Sequence, residues 1–215
     1  MWAVMQTEIN EDIQFAKYDD EELILLARDG NSQAFAVLHR RFLHKILNYV
    51  NRIVNDFQKA EEITQETFLQ VYRHLDTYRP QGKASSWIFK IATNLSKNEL
   101  RNRKRRRLFS LSLQNKVGFD THETELIDLI PDKNPGPAVV AQNNETMEKL
   151  EKIIESLPMK YREVMLVCEV HGYSYQEASE ILNCSKANVG IRLCRARRKV
   201  KKIIKMRSSD FPNFY

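Results

Sequence analysis

Between Lys186 and Arg207 the chain carries ten Lys or Arg residues and neither Asp nor Glu. Lysine neutralises backbone phosphate as a point charge, whereas Arg and Asn can meet a base edge through two hydrogen bonds at once. At helical spacing, Asn188, Arg192, Arg195, Lys199 and Lys202 fall on one face and Val189, Leu193, Ala196 and Val200 on the other. A second basic block, residues 97–107 (KNELRNRKRRR), holds seven bases against one acid. Acids gather elsewhere: residues 1–30 carry eight acids against two bases, and residues 108–145 six against two. A net charge of +6 says little by itself, but positive charge confined to two blocks is the electrostatic footprint of nucleic-acid binding.

Catalytic and metal chemistry have no comparable support. His39, His44, His74, His122 and His171 are scattered, and no carboxylate cluster accompanies them. Cys168, Cys184 and Cys194 form an odd set without a CxxC, and Cys184-x9-Cys194 near His171 matches no zinc spacing. No metal, no cofactor and no enzymatic activity are expected. Reduced thiols, an acidic N-terminus unlike a signal peptide, and no apolar run of roughly 18–20 residues point to a cytoplasmic protein without membrane insertion.

The elements that must position the basic residues are helices. Ser174 with Glu177 three residues on is a capping-box start, and Ala178, Ile181 and Leu182 make an apolar stripe. Asn183 tolerates the left-handed conformation of a sharp helix exit, and Ser185 can cap the next helix. A basic run alone is commonly a solvated surface. Here it coincides with a cap, a turn and an apolar period, the layout of a helix-turn-helix over residues 174–200. Upstream, stripes run through Leu23, Leu26 and Ala27, then Phe35, Leu38, Phe42, Ile46, Tyr49, Val50 and Ile53. Asp56 can cap a helix whose inner face is Ala60, Ile63, Phe68, Val71, Tyr72 and Leu75. That helix also carries Asp56, Glu61, Glu62, Gln65 and Glu66, an acidic face equally readable as solvated surface or docking site. After a loop at 78–83, Trp87, Ile88, Ile91, Ala92 and Leu95 head a helix that enters the first basic block. Pro131, Pro135, Gly136 and Pro137 break any stripe in 108–145, and helical spacing resumes with Met147, Leu150, Ile153, Ile154 and Leu157. Pro158 then opens a helix through Tyr161, Val164, Met165, Val167 and Cys168. The expected fold is all-α: two small helical domains joined by an acidic flexible linker.

Three runs, taken together, resemble the sigma-70 family of bacterial RNA polymerase sigma factors, most closely the extracytoplasmic-function (ECF) group. AEEITQETFLQVYRHLDTYRP (60–80) is similar to the part of region 2 that docks on the polymerase clamp. ASSWIFKIATNLSKNELRNRKRR (84–106) is similar to the segment that melts and reads the −10 element. LPMKYREVMLVCEVHGYSYQEASEILNCSKANVGIRLCRARRKV (157–200) is similar to region 4, which binds the −35 element. The resemblance implies an N-terminal tail (1–19), a region 2 domain (20–107), a linker (108–145), a region 4 domain (146–207) and a C-terminal tail (208–215). It implies a promoter-specificity subunit that binds core RNA polymerase through its β′ and β subunits, recognises both promoter elements and directs initiation. An anti-sigma factor is the further partner it implies.

Under that resemblance the residues take roles. Asp56, Glu61, Glu62, Gln65 and Glu66 would meet the basic coiled coil of β′. Asn94, Lys97 and Asn98 would hold an unstacked base and its phosphates, with Arg101, Arg103 and Arg105 on the backbone upstream. Ser185, Lys186, Asn188, Arg192, Arg195 and Lys199 would contact the −35 element. Trp87 is expected to be core. Region 4 departs from the family pattern at Gly190 and Ile191, which replace residues that often hydrogen-bond bases, and at Cys194, where a bulkier contact residue often lies. The −35 sequence therefore does not transfer. The 38-residue linker reaches about 125 Å extended, at roughly 3.3 Å per residue, and so spans roughly 70–85 Å of duplex between the two elements at about 3.4 Å per step. The competing reading is a free-standing helix-turn-helix regulator, with residues 20–107 as a sensory domain. The basic helix after Trp87 argues against it.

Overall fold

A computed structural model describes residues 14–80, 83–114 and 144–206. Helices lying wholly within the described residues are α1 (Asp20–Arg28), α2 (Ser32–Val54), α3 (Phe57–Arg73), α4 (Ala84–Gln114), α5 (Asn144–Glu155), α6 (Met159–Met165), α7 (Tyr175–Leu182) and α8 (Lys186–Met206). Short 3-10 and π-helical turns follow α3 and α6, at Leu75–Thr77 and Leu166–Val170. The all-α expectation holds throughout these residues, none of which is in a strand. None of their helices is long and apolar enough to cross a membrane.

Local chemistry places the helix starts. Asp19 and Glu22 form a reciprocal capping box ahead of α1, and the Asn31 side chain accepts the Ala34 N–H at 3.0 Å ahead of α2. Gly30, at φ +94°, supplies the left-handed turn between them. Asn55 leaves α2 at φ 53°, and Asp56 at once caps α3 by accepting the Lys59 N–H at 2.9 Å. Each such cap is worth about 1 kcal/mol. The apolar stripes then fold α1–α4 onto one another around Leu23, Leu38, Phe42, Ile46, Tyr49, Val71 and Ile88. Packing begins ahead of residue 20, because Phe15 is buried and Arg41 donates to the Phe15 and Tyr18 carbonyls.

In the second unit, α6, α7 and α8 close over Val164, Leu166, Ile181, Leu182, Val189, Leu193 and Ala196. Ser174 and Glu177 form the expected capping box, Asn183 is left-handed at φ 53°, and Ser185 accepts the Asn188 N–H at 3.2 Å.

Three expectations are corrected. Tyr72 is 59 % exposed rather than core, because α3 turns its Ile63–Thr67–Val71 edge inward and leaves Tyr72 at the side, edge-on to the Phe35 ring at 5.1 Å between centroids. The helix that carries the first basic block continues past 107 to Gln114, since no Pro or Gly interrupts it before Gly118. Trp87 is only partly buried, lying against Tyr78 at 4.7 Å between ring centroids. The remainder of the expected linker (115–143) and most of the two tails lie outside the described residues.

The two units are not held apart. α4 packs against α7, and α2 against α6. Arg162 of α6 donates to the Ile53 carbonyl at 3.1 Å, satisfying an orphan carbonyl at the end of α2, and Arg52 pairs with Glu151. Helix α4 is thereby covered on two sides, with Ile88 and Ala92 and also Phe89, Thr93 and Ser96 buried.

Candidate nucleic-acid interface

In α8 the buried residues Val189, Leu193 and Ala196 define an inner face. At roughly 100° per residue the outward face is centred on Ala187, Ile191, Cys194, Arg195 and Arg198, all exposed. Lys186 and Lys199 are also exposed, beside that face, and Ser185 is engaged as the cap. Asn188 and Arg192 lie on a flank of the helix, where Arg192 reaches Glu163 of α6. There the Arg192 Nε donates to Asn188 Oδ1 at 2.9 Å, and its Nη1 donates to Glu163 Oε1 at 3.0 Å.

Glu163 of α6 is only 2 % exposed and is the meeting point of both basic blocks. Lys97 of α4 forms an ion pair with its other oxygen, Oε2, at 2.9 Å, and donates to the Leu182 carbonyl at 3.3 Å. One buried carboxylate thus binds a cation from each candidate DNA-reading helix. The other α4 candidates divide. Asn94, Asn98, Arg101 and Arg105 are exposed, whereas Arg103 pairs with Asp56 and Glu99 and donates to the Val54 carbonyl.

Ahead of α4, a shallow pocket is lined by Tyr78, Arg79, Lys83, Ser86, Trp87 and Lys90, with Glu180 of α7 at its edge. The Tyr78 hydroxyl and the Lys83 N–H both donate to Glu21, fixing the loop to α1. Lys83 Nζ donates to Glu180 at 2.6 Å and, with Gln176, holds that carboxyl below its ordinary pKa. His171 enters an aromatic seat, 5.6 Å from the Tyr49 ring and 4.8 Å from Phe89, and Tyr173 lies 5.2 Å from Phe89. Burial first, then the charges of Arg52 and Lys45, push the His171 imidazole down to about 4.

On α3, Glu61, Glu62 and Gln65 are exposed and Glu66 is partly so, next to the exposed side chains of Leu69 and Tyr72. Asp56 stands apart from this set, because it serves as the α3 cap and binds Arg103. The Lys59 N–H and then Arg103 hold its carboxyl below the usual range.

Sequence reasoning missed Glu163, Lys83, Glu180, Arg162 and His171. The one available signal was Glu163 itself, a lone acid next to the apolar run VMLV.

Comparison with known proteins bears on what this arrangement does. The model for sigma-70 region 2 matches residues 38–106, and that for sigma-70 region 4 matches residues 147–200. The ECF RNA polymerase sigma-E factor of Escherichia coli (strain K12) is 30% identical over 182 residues, 83% of this chain and 90% of that protein. The chain belongs to the ECF group of the sigma-70 family. The RNA polymerase sigma-H factor of Pseudomonas aeruginosa is 29% identical over 185 residues, covering 86% of this chain and 93% of that one. The fold is shared with CnrH, solved in complex with the cytosolic domain of CnrY, at a TM-score of 0.60 and 21% identity over 87% of this chain and 97% of that one. It is also shared with RpoE of Bartonella quintana, solved with the anti-sigma factor NepR, at 0.54 and 19% over 78% and 94%. In these terms the region 2 match takes in most of α2, all of α3 and most of α4, and the region 4 match takes in most of α5, α6, α7 and most of α8.

Proposed function

We infer that this ECF sigma factor is the promoter-specificity subunit of RNA polymerase: it binds the core enzyme, recognises the −35 and −10 elements and directs initiation. The observation that carries this reading is the pairing, in one chain and in family order, of a capped helix-turn-helix whose second helix lacks acids with a long basic helix preceded by a pocketed loop. The protein performs no catalysis of its own and works in the cytoplasm.

The roles of its parts follow from their chemistry. The exposed Glu61, Glu62, Gln65 and Glu66, with Leu69 and Tyr72, offer an acidic and partly apolar surface to a basic coiled coil of β′. Asn94, Lys97 and Asn98 hold the opened −10 strand, and the pocket beside Trp87 is the seat for an unstacked base. Arg101 and Arg105 neutralise phosphate, and Arg103 joins them if it leaves Asp56. Lys186, Asn188, Arg192, Arg195 and Lys199 face the −35 element. DNA must displace Glu163 from Lys97 and Arg192, and Glu180 from Lys83. The closed arrangement is thus a state in which carboxylates occupy groups that nucleic acid needs. An anti-sigma factor that grips both units would hold that state; RpoE of Bartonella quintana was solved in complex with an anti-sigma factor, NepR.

Co-elution with core polymerase, followed by footprinting of the complex and of the chain alone, tests the reading. The expected outcome is a complex that protects DNA from the −35 to the −10 element, with little sequence-specific protection by the chain alone. No co-elution, together with tight protection by the free chain, would return the protein to the free-standing regulators.

A further inference from the structure

Helix α8 presents an apolar ridge where a groove-reading helix ordinarily presents hydrogen-bonding groups. Ile191 is 53 % exposed and stands at the centre of the outward face, on the side opposite Val189, Leu193 and Ala196. Exposed Ala187 and Cys194 lie four residues before it and three after, on the same strip. Beside them Gly190 adds no side chain, and the Tyr175 ring lies 3.6 Å from where a Cβ at Gly190 would stand. The nearest polar readers do not compete for this position, because Asn188 and Arg192 lie on the flank of the helix rather than on the outward strip. Exposed Arg195 and Arg198 flank the ridge, so the surface that surrounds the isoleucine is cationic.

A cationic helix face approaches phosphate-lined DNA. Within the major groove one base substituent is apolar, the 5-methyl group of thymine. We propose that Ile191 is a specificity-determining residue that reads a thymine methyl in the −35 element, with Ala187 and Cys194 keeping water from the contact. The proposal rests on the sigma-factor reading of α8 and assigns to one side chain a discrimination made by shape and dryness instead of hydrogen bonds. Burying one methyl group is worth a factor of about four in binding.

The test uses holoenzyme, assembled from core polymerase and the full chain, on promoters selected from a library randomised across the −35 element. Failure to enrich any −35 sequence would remove the sigma-factor reading itself, separately from this proposal. On the enriched promoter each −35 thymine is replaced singly by deoxyuridine, which keeps every hydrogen bond and loses only the methyl. Wild-type holoenzyme is expected to bind one such template roughly fourfold more weakly. I191A should bind the thymine and uridine templates alike, and I191V should retain most of the difference. Uniform indifference of wild type to uridine, an enriched element without thymine on either strand, or a uridine penalty undiminished in I191A would each overturn the proposal. A merely structural role for Ile191 would weaken both templates equally and leave the ratio intact.

Discussion

At the residue scale the decisive group is Glu163. A carboxylate at 2 % exposure is tolerable only because Lys97 and Arg192 bind its two oxygens from different helices. Removing it leaves two cations facing each other, each about a quarter exposed and so partly able to turn to water. Glu163→Gln is expected to lower stability by about 2–3 kcal/mol, at or below the lower end for breaking a buried pair. Denaturant unfolding measures it, and a change below ~0.5 kcal/mol would show that the pair is not under load. Asn94 calls for a different assay. Exposed on α4 and free of the Glu163 knot, it should act only once a strand has opened. Asn94→Ala should therefore reduce transcription on duplex templates by more than on templates with a pre-melted −10 region. Equal losses on both would make its role structural.

At the element scale, helix starts were legible because a cap is a local event. Ser174 with Glu177, Asp56, and the left-handed Asn183 could all be read from a few neighbouring residues, and each stands as read. Helix α4 was legible only in half. A helix covered on two sides has no single stripe, so Ile88 and Ala92 could be anticipated but Phe89, Thr93 and Ser96 could not. The two buried hydroxyls there donate to the carbonyls four residues back, and Thr93 Oγ1 also meets the Tyr49 hydroxyl at 2.7 Å, a pairing 44 residues apart that no local pattern announces. Glu163, Lys83 and Glu180 escaped notice for a related reason: Glu163 meets Lys97 and Arg192 at 66 and 29 residues' separation, Lys83 and Glu180 are 97 residues apart, and no spacing announces such pairs. On α3 the acidic face separates by element geometry. Glu62 and Glu66 lie along the helix, clear of its cap, and their joint replacement by Lys should weaken core-polymerase binding while costing no more than ~0.5 kcal/mol of stability. Asp56→Ala should instead cost about 1 kcal/mol through the lost cap. Core-enzyme retention and melting curves on the same proteins distinguish the two, and unchanged retention of the Lys variant would leave that face as solvated surface.

At the scale of the whole molecule, the contacts between the two units carry a pH dependence that can be measured. The region 4 residue His171 sits among region 2 aromatics as a neutral ring, its pKa pushed down to about 4 by burial and by Arg52 and Lys45. An exposed imidazole titrates near 6.5, so the opened form binds the proton more readily than the closed one. Closure is fully favoured above about pH 6.5 and weakens as pH falls from there toward about 4. Small-angle scattering across that window should show the radius of gyration rising in wild type. His39, whose pKa is also lowered by burial, supplies a background that H171F retains. An unchanged rise in H171F would remove His171 from the account of closure. The same closed state explains why two readers, each partly occupied by carboxylates, should do little on DNA without polymerase. Run-off transcription from a −35/−10 promoter enriched by the holoenzyme, with core polymerase and with or without this chain, tests the promoter-specificity role most directly. The expected result is a defined transcript only when both are present. A transcript of equal yield from core polymerase alone, or none when both are present, would contradict it.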